Sequence, residues 1–151
     1  MMLNTDDFRH KTTVTVRFHE VDMLGVCNNA VYINYFEHAR LQYIKDIGMM
    51  PKEGIFTDGF VYFMVRNEIN YRGHSYYDEE LDIYTRISYI KNSSYGFDHL
   101  IVRKKTGEAI VDGKGVVARV DPHSGKSTLL SDEFISTVLA YDKDVQILRN
   151  K

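Results

Sequence analysis

The feature that most restricts what this sequence can fold into is one helical pattern inside a chain that otherwise alternates like strands. Between positions 29 and 47, apolar residues recur at spacings of three and four, which places them on one face of a helix. They are Tyr32, Phe36, Ala39, Tyr43 and Ile47. Asn28 or Asn29 can cap the start of this helix by accepting from the unpaired first-turn amides, and Gly48 and Pro51 supply stop signals.

Strand-like segments lie on both sides of this helix. β-Branched residues in Thr12–His19 predict a first strand, and the later strand candidates are Gly59–Tyr71, Leu81–Tyr89, Tyr95–Val102 and Glu108–Val120. Gly107 ends a hairpin turn, a second turn ends at Gly125, and Ser131 can cap a short C-terminal helix. The order predicts one α+β domain over residues 1–151, with an antiparallel sheet of about five strands around the helix.

Charge and cysteine content limit the partners and the compartment. The net charge of -2 gives no electrostatic reason to expect a nucleic-acid partner. The single cysteine, Cys27, cannot form an intrachain disulfide, which is typical of a reducing compartment. Met1–Lys11 lacks the apolar core of a signal peptide, and no apolar run is long enough to span a bilayer. We therefore expect a cytoplasmic protein with no membrane partner.

The segment between the first strand and the helix carries the residues best suited to chemistry. Asp22 follows the strand, and the loop containing Gly25 then leads into the helix start. If extended geometry persists, Glu20 and Asp22 lie on the same side of the chain. A helix start presents unpaired amides that can hold the oxyanion formed when a carbonyl is attacked. An Asp in such a place is also a common turn former, so the pattern alone leaves both roles open.

Specific residues here resemble a known family. The run Val16-Arg17-Phe18, followed by Asp22, Gly25, Asn28-Asn29, Tyr32 and Phe36-Glu37, resembles the 4-hydroxybenzoyl-coenzyme A thioesterase branch of the hotdog superfamily. The resemblance covers about Thr12 to Ser131. It implies a hotdog fold, in which the sheet wraps around one central helix. It also implies hydrolysis of an acyl-coenzyme A to the free acid and coenzyme A.

The resemblance assigns roles to particular residues. It implies that Asp22 is the nucleophile or the general base and that the backbone amide of Asn29 polarises the carbonyl. Gly25 and Tyr32 are expected at the substrate site. Lys91, Ser93 and Ser94 match a stretch near the pantetheine and phosphates of coenzyme A, although an ordinary solvated hairpin has the same composition. No metal or redox cofactor is implied, because coenzyme A enters as part of the substrate.

Departures from the family leave more than one function open. Many relatives have a His after the loop Gly or at the end of the loop, where this sequence has Val26 and Asn29. That difference argues against a dehydratase or hydratase of the same fold, since such enzymes typically use a His. An acyl-carrier-protein thioesterase and a non-catalytic acyl-binding module stay open beside the acyl-coenzyme A thioesterase. The family assembles as homodimers, often paired into homotetramers, with the active site at the subunit boundary, so we expect a homo-oligomer.

Overall fold

An antiparallel sheet wraps one long helix in this computed structural model, which describes residues 3–50 and 59–149. The sheet order is β1-β3-β4-β5-β2, and β6 adds to β3 in parallel. The elements are β1 (His10–Thr15), α1 (Val31–Asp46), β2 (Val61–Tyr71), β3 (Glu80–Ile90), β4 (Ser94–Arg103), β5 (Ala109–Val120), α2 (Asp132–Tyr141) and β6 (Gln146–Ile147). This is the expected hotdog fold. None of the helices in the described ranges is long and apolar enough to span a membrane.

The apolar face of α1 forms the centre of the core, as the spacing predicted. Tyr32, Phe36, Ala39 and Tyr43 are each no more than 1% exposed. The helix begins at Val31 instead of Asn29. The Ala30 amide donates to the Asn28 side chain and the Val31 amide donates to the Asn28 carbonyl, so Asn28 forms a turn directly before the helix. It ends at Asp46, and Gly48 then adopts a φ of 82° that favours glycine. Pro51, the other predicted stop, lies outside the described residues.

The first strand is shorter than the predicted Thr12–His19. It ends at Thr15, and Phe18–Glu20 form a single 3-10 turn. The turn forms because the Arg17 amide donates to Glu20 Oε1 at 2.8 Å while the Glu20 amide donates to the Arg17 carbonyl. Extended geometry therefore stops before Glu20. The premise that Glu20 and Asp22 share one side of a strand was wrong.

The strand β3 alternates as predicted, but both of its faces are covered. Asp82, on the face away from α1, is 6% exposed, and its carboxylate accepts a 2.7 Å hydrogen bond from Thr13 of β1. The N-terminal segment also covers this side of the sheet, where Phe8 packs with Leu100 and Val102 of β4. Of the alternating polar set of β3, Asp82 is therefore buried through pairing with β1, while Tyr84, Arg86 and Ser88 are half-buried.

The C-terminal helix is fixed at both ends. Ser131 caps it as predicted, since the Phe134 amide donates to Ser131 Oγ at 3.1 Å. At the other end, the buried Asp142 accepts from the Tyr43 hydroxyl at 2.5 Å and from the Ile87 amide at 2.9 Å. This carboxylate therefore joins α2 to α1 and to β3.

Candidate active site

Asp22 lies at the start of a tight loop that the chain closes on itself. Its amide donates to the Val26 carbonyl at 3.0 Å, and its carbonyl accepts from Gly25 at 3.0 Å. Asp22 Oδ1 accepts from the Leu24 amide at 2.9 Å. Gly25 has a φ of 79°, a conformation that glycine adopts at low cost. The loop thus holds the half-buried Asp22 carboxylate in one orientation, so the turn-forming role and a chemical role are compatible.

The start of α1 offers a backbone donor close by in the chain. The Ala30 amide donates to Asn28 Oδ1 at 2.9 Å, and the Val31 amide donates to the Asn28 carbonyl at 3.0 Å. The Asn29 carbonyl accepts from the Tyr71 hydroxyl at 3.2 Å. Within residues 3–50 and 59–149, the Asn29 amide itself has no acceptor. This amide lies at the positive end of the α1 dipole.

A buried cluster of hydroxyl and thiol groups lies under the Asp22 loop. Tyr32 and Ser75 share a 2.7 Å hydrogen bond, and the Tyr35 hydroxyl donates to Glu20 at 2.9 Å. Burial raises the pKa of Tyr32 to about 12 and also raises the pKa of Tyr35 and of the Cys27 thiol. These groups therefore remain protonated near neutral pH. A buried, protonated thiol is a poor nucleophile, so Cys27 serves as a small loop residue.

Large apolar side chains in and beside this loop are exposed to solvent. Met23 and Leu24, directly after Asp22, are 103% and 86% exposed. Phe18 is also exposed and meets Tyr77 edge-on, with the ring centroids 5.9 Å apart. Apolar surface of this kind beside a carboxylate suits an acyl group or a second subunit.

The Lys91–Ser94 turn lies at the other end of the sheet. The Asp22 loop adjoins the start of β3, since the Val16 amide donates to the Glu79 carbonyl at 2.9 Å. Lys91 follows the last residue of β3, an 11-residue strand, so the length of that strand, about 33 Å at a rise of ~3.3 Å per residue, lies between the two sites along the sheet. Within one chain the structure brings Asp22, Gly25, Asn29 and Tyr32 together. It does not bring Lys91, Ser93 or Ser94 to them.

The histidine His99 belongs to the core between the sheet and α1. His99 is buried, stacks on Phe36 with centroids 4.4 Å apart, and shares a hydrogen bond with Thr85. Burial, with a smaller effect of the Arg40 charge, lowers the pKa of His99 well below its usual range. In the described parts of the chain, no three His, Cys, Asp or Glu side chains lie close enough to hold a metal ion. His99 is thus a neutral core residue.

Four residues that contact the site were not predicted from the sequence: Glu20, Tyr35, Tyr71 and Ser75. Glu20 was expected on the same side of an extended chain as Asp22, yet it lies half-buried in a turn and its carboxylate accepts from Tyr35 of α1. A usable signal was present for Tyr35, which lies three residues after Tyr32 on the buried helix face. A buried tyrosine hydroxyl there needs a polar partner.

Comparison with known proteins places the chain in a family. The family model described as the thioesterase-like superfamily matches residues 16–138. The Bacillus subtilis protein YsmA, described as uncharacterized, is 32% identical over 126 residues, which cover 83% of this chain and 82% of YsmA. The chloroplastic acyl-acyl carrier protein thioesterase ATL3 of Arabidopsis thaliana is 29% identical over 112 residues. That match covers 74% of this chain but only 58% of ATL3.

A solved structure shares the architecture. It is a thioesterase from Thermus thermophilus complexed with coenzyme A and Zn, with a TM-score of 0.77 and 27% sequence identity. The superposition covers 91% of this chain and 96% of the Thermus chain.

Proposed function

The chain belongs to the thioesterase-like superfamily, and from that premise we propose that it hydrolyses an acyl-coenzyme A thioester to the free acid and coenzyme A. The observation that supports this most directly is the loop from Asp22 to Asn29. It presents a carboxylate and an available backbone amide within eight residues, beside exposed apolar side chains. An attacking group and an oxyanion donor are the two parts that acyl transfer requires.

Two routes use these groups with the same balance of atoms. In the first, the Asp22 carboxylate attacks the carbonyl carbon, the C–S bond breaks, coenzyme A leaves as its thiolate, and water hydrolyses the mixed anhydride. In the second, Asp22 takes a proton from water as that water attacks. Both routes place negative charge on the carbonyl oxygen, which the Asn29 amide stabilises. A thiolate is a good leaving group, so the absence of a His at Val26 or Asn29 is compatible with turnover.

The exposed edge of the sheet supports a homodimer as part of this proposal. The strand β2 ends the sheet and has 11 residues, among them the exposed Tyr62, Phe63 and Val65. A long apolar edge strand invites pairing with another chain. We expect two copies to pair antiparallel through β2 about a twofold axis, the commonest symmetry of protein oligomers.

Such pairing would complete the substrate site. The Tyr71 end of β2 contacts the helix start at Asn29, and antiparallel pairing places it beside the partner's Val61 end. At that end, the Arg119 amide of β5 donates to the Ser93 carbonyl at 2.9 Å. The partner's Lys91–Ser94 turn would therefore approach Asp22, with its ammonium and hydroxyls available to the phosphates and pantetheine of coenzyme A.

The proposal is tested by thiol release from aliphatic and aromatic acyl-coenzyme A substrates, with wild-type protein and Asp22→Asn. Asn keeps the size of the side chain and an oxygen that can accept from Leu24, so the fold should be retained. We expect kcat to fall at least about a hundredfold, as is typical when a catalytic group is removed. Full activity in Asp22→Asn would contradict the role of Asp22. An inactive wild type across the panel would contradict acyl-coenzyme A hydrolysis.

A second candidate substrate is an acyl-carrier protein thioester. It is favoured by ATL3 and by ATL2, which is likewise named an acyl-acyl carrier protein thioesterase and is 30% identical over 112 residues. The same acyl group should be offered on both carriers at equal concentration. A kcat/KM at least about tenfold higher for the protein carrier, or about 1.4 kcal/mol, would assign that substrate instead. Binding of acyl-coenzyme A without turnover would indicate the non-catalytic module.

A further inference from the structure

Glu20 alone makes hydrogen bonds at both ends of the Asp22 loop. Its backbone carbonyl accepts from the Asn28 amide at 2.8 Å, which closes the loop directly before Asn29. Its side-chain Oε1 accepts from the Arg17 amide at 2.8 Å and from the Tyr35 hydroxyl at 2.9 Å. One carboxylate oxygen thereby joins the turn before Asp22 to the body of α1.

The hydrogen bond between Tyr35 and Glu20, called the brace below, is protected by its surroundings. Tyr35 is 5% exposed, so its bond to Glu20 is sheltered from competing water. The Cys27 thiol lies 4.0 Å from the same tyrosine hydroxyl, and the Cys27 amide donates to the Ser75 carbonyl at 2.8 Å. The loop is therefore attached along its inner side, while Met23 and Leu24 face outward.

We propose that Glu20 is a positioning residue for the thioesterase reaction, fixing the Asp22 carboxylate relative to the Asn29 amide through its bond to Tyr35. This rests on the proposed function. Asp22 lies two residues after the brace, and Asn29 follows the residue that the Glu20 carbonyl holds. A misplacement of about 1 Å at a reacting centre can cost a factor of about 100 in rate. Glu20 itself does not exchange a proton with the substrate.

The test compares Glu20→Gln, Glu20→Ala and Tyr35→Phe in the full-length chain. Gln keeps an oxygen that can accept from both donors but carries no charge. For Glu20→Ala and Tyr35→Phe we expect kcat to fall about 10- to 100-fold with KM changed less than about threefold. Glu20→Gln should stay within about fivefold of wild type. The double variant should be no worse than Glu20→Ala alone, because the two residues act as one unit. Glu133→Ala, on the exposed start of α2, is the control for loss of an acidic side chain.

Amide hydrogen exchange gives a readout that does not depend on turnover. The Asp22 and Asn28 amides should exchange faster in Glu20→Ala and Tyr35→Phe, and at about the wild-type rate in Glu20→Gln. An unchanged exchange rate in Glu20→Ala would contradict the role of Glu20 in holding the loop, whether or not the wild type is active. If exchange is faster in these two variants but the wild type shows no turnover, only the proposed reaction is contradicted. A Glu20→Gln variant as slow in turnover as Glu20→Ala would overturn the positioning role, since the charge itself would then be required.

Discussion

Replacing Tyr43 by Phe tests the contact that joins the two helices. The Tyr43 side chain is fully buried, and its hydroxyl donates to Asp142 Oδ2 at 2.5 Å. Asp142 is 6% exposed and also accepts from the Ile87 amide. The ring of Tyr43 packs against Phe97 and Tyr141, with centroids 5.6 Å away in each case. Phe preserves that packing, so the substitution removes a hydrogen bond and creates no large cavity.

The magnitude follows from the kind of bond that is lost. A hydrogen bond to a charged group contributes about 1.5–3 kcal/mol to stability, and here the acceptor stays buried after its donor is removed. We expect the free energy of unfolding to fall by about 2 kcal/mol. In a chain of this size, that corresponds to a decrease in Tm of about 4–8 °C.

The loss should depend on pH because Asp142 titrates. Burial raises the pKa of Asp142, and the Tyr43 and Ile87 donors oppose that rise. A carboxyl group with a raised folded-state pKa contributes stability that is present below its unfolded pKa and is lost as the pH rises through the folded value. Tyr43→Phe removes one opposing donor and raises the pKa further. The variant should therefore lose more stability at about pH 8 than at about pH 4.

Urea unfolding of the wild type and the variant at both pH values measures these quantities, at one fixed protein concentration in case dissociation is coupled to unfolding. Tyr141→Phe is the matched control, because the Tyr141 hydroxyl donates no hydrogen bond within the described ranges. It should change stability by less than about 0.5 kcal/mol. A loss below about 0.5 kcal/mol in Tyr43→Phe, or a loss that grows toward acid pH, would refute the reasoning.

Two further predictions concern the core and the substrate site. Gly113→Ala should lower the free energy of unfolding by about 1–3 kcal/mol in urea unfolding, since the new Cβ would lie 2.6 Å from both the Glu68 carbonyl oxygen and the Phe36 ring. Lys91→Ala should raise KM for acyl-coenzyme A about tenfold with little change in kcat, through loss of a phosphate contact of about 1.4 kcal/mol. If the site is shared, mixed dimers of Lys91→Ala and Asp22→Asn should turn over with the wild-type KM, because one of their two sites has both Asp22 and Lys91.

Matched substitutions provide the controls. At Gly73 the nearest atom to a new Cβ is 3.5 Å away, so Gly73→Ala should leave stability unchanged or raise it slightly. An equal loss at Gly73 and Gly113 would show that the close approach of Phe36 is not the cause. Lys104 lies in an exposed turn and pairs with Glu80 at 3.3 Å. An equal rise of KM in Lys104→Ala would point to overall charge instead of a contact from Lys91.

The elements that could be predicted from the sequence are those whose signal is local. The α1 stripe repeats every three or four residues, and the Ser131 cap and the Gly107 turn each depend on neighbours within a few positions. The end of β1 could not be predicted in this way. The β-branched run continues past Thr15, but the chain turns because Glu20 takes the Arg17 amide and is itself held by Tyr35, 15 residues later. Propensity carries no information about such a contact.

The same distinction applies to the candidate site. Asp22, Gly25, Asn29 and Tyr32 come from one short segment, so their proximity followed from the order of strand, loop and helix. The hydrogen bonds that hold that segment in place could not be predicted. Tyr71 reaches Asn29 from a strand 42 residues away, and its pairing depends on the register of β2 with β5. Composition offers no signal for such a register when both strands are rich in β-branched and aromatic residues.

The distance between Asp22 and Lys91 constrains how a site could use both. They lie beyond opposite ends of β3, and β3 is hydrogen-bonded to β1 on one side and β4 on the other. No loop movement can shorten a strand held in this way, so within one chain Asp22 and Lys91 stay at opposite ends of a strand about 33 Å long. A role for Lys91 therefore requires a second chain. Antiparallel pairing through β2 supplies it at the edge where Tyr71 touches Asn29, which would make assembly and substrate binding depend on the same strand.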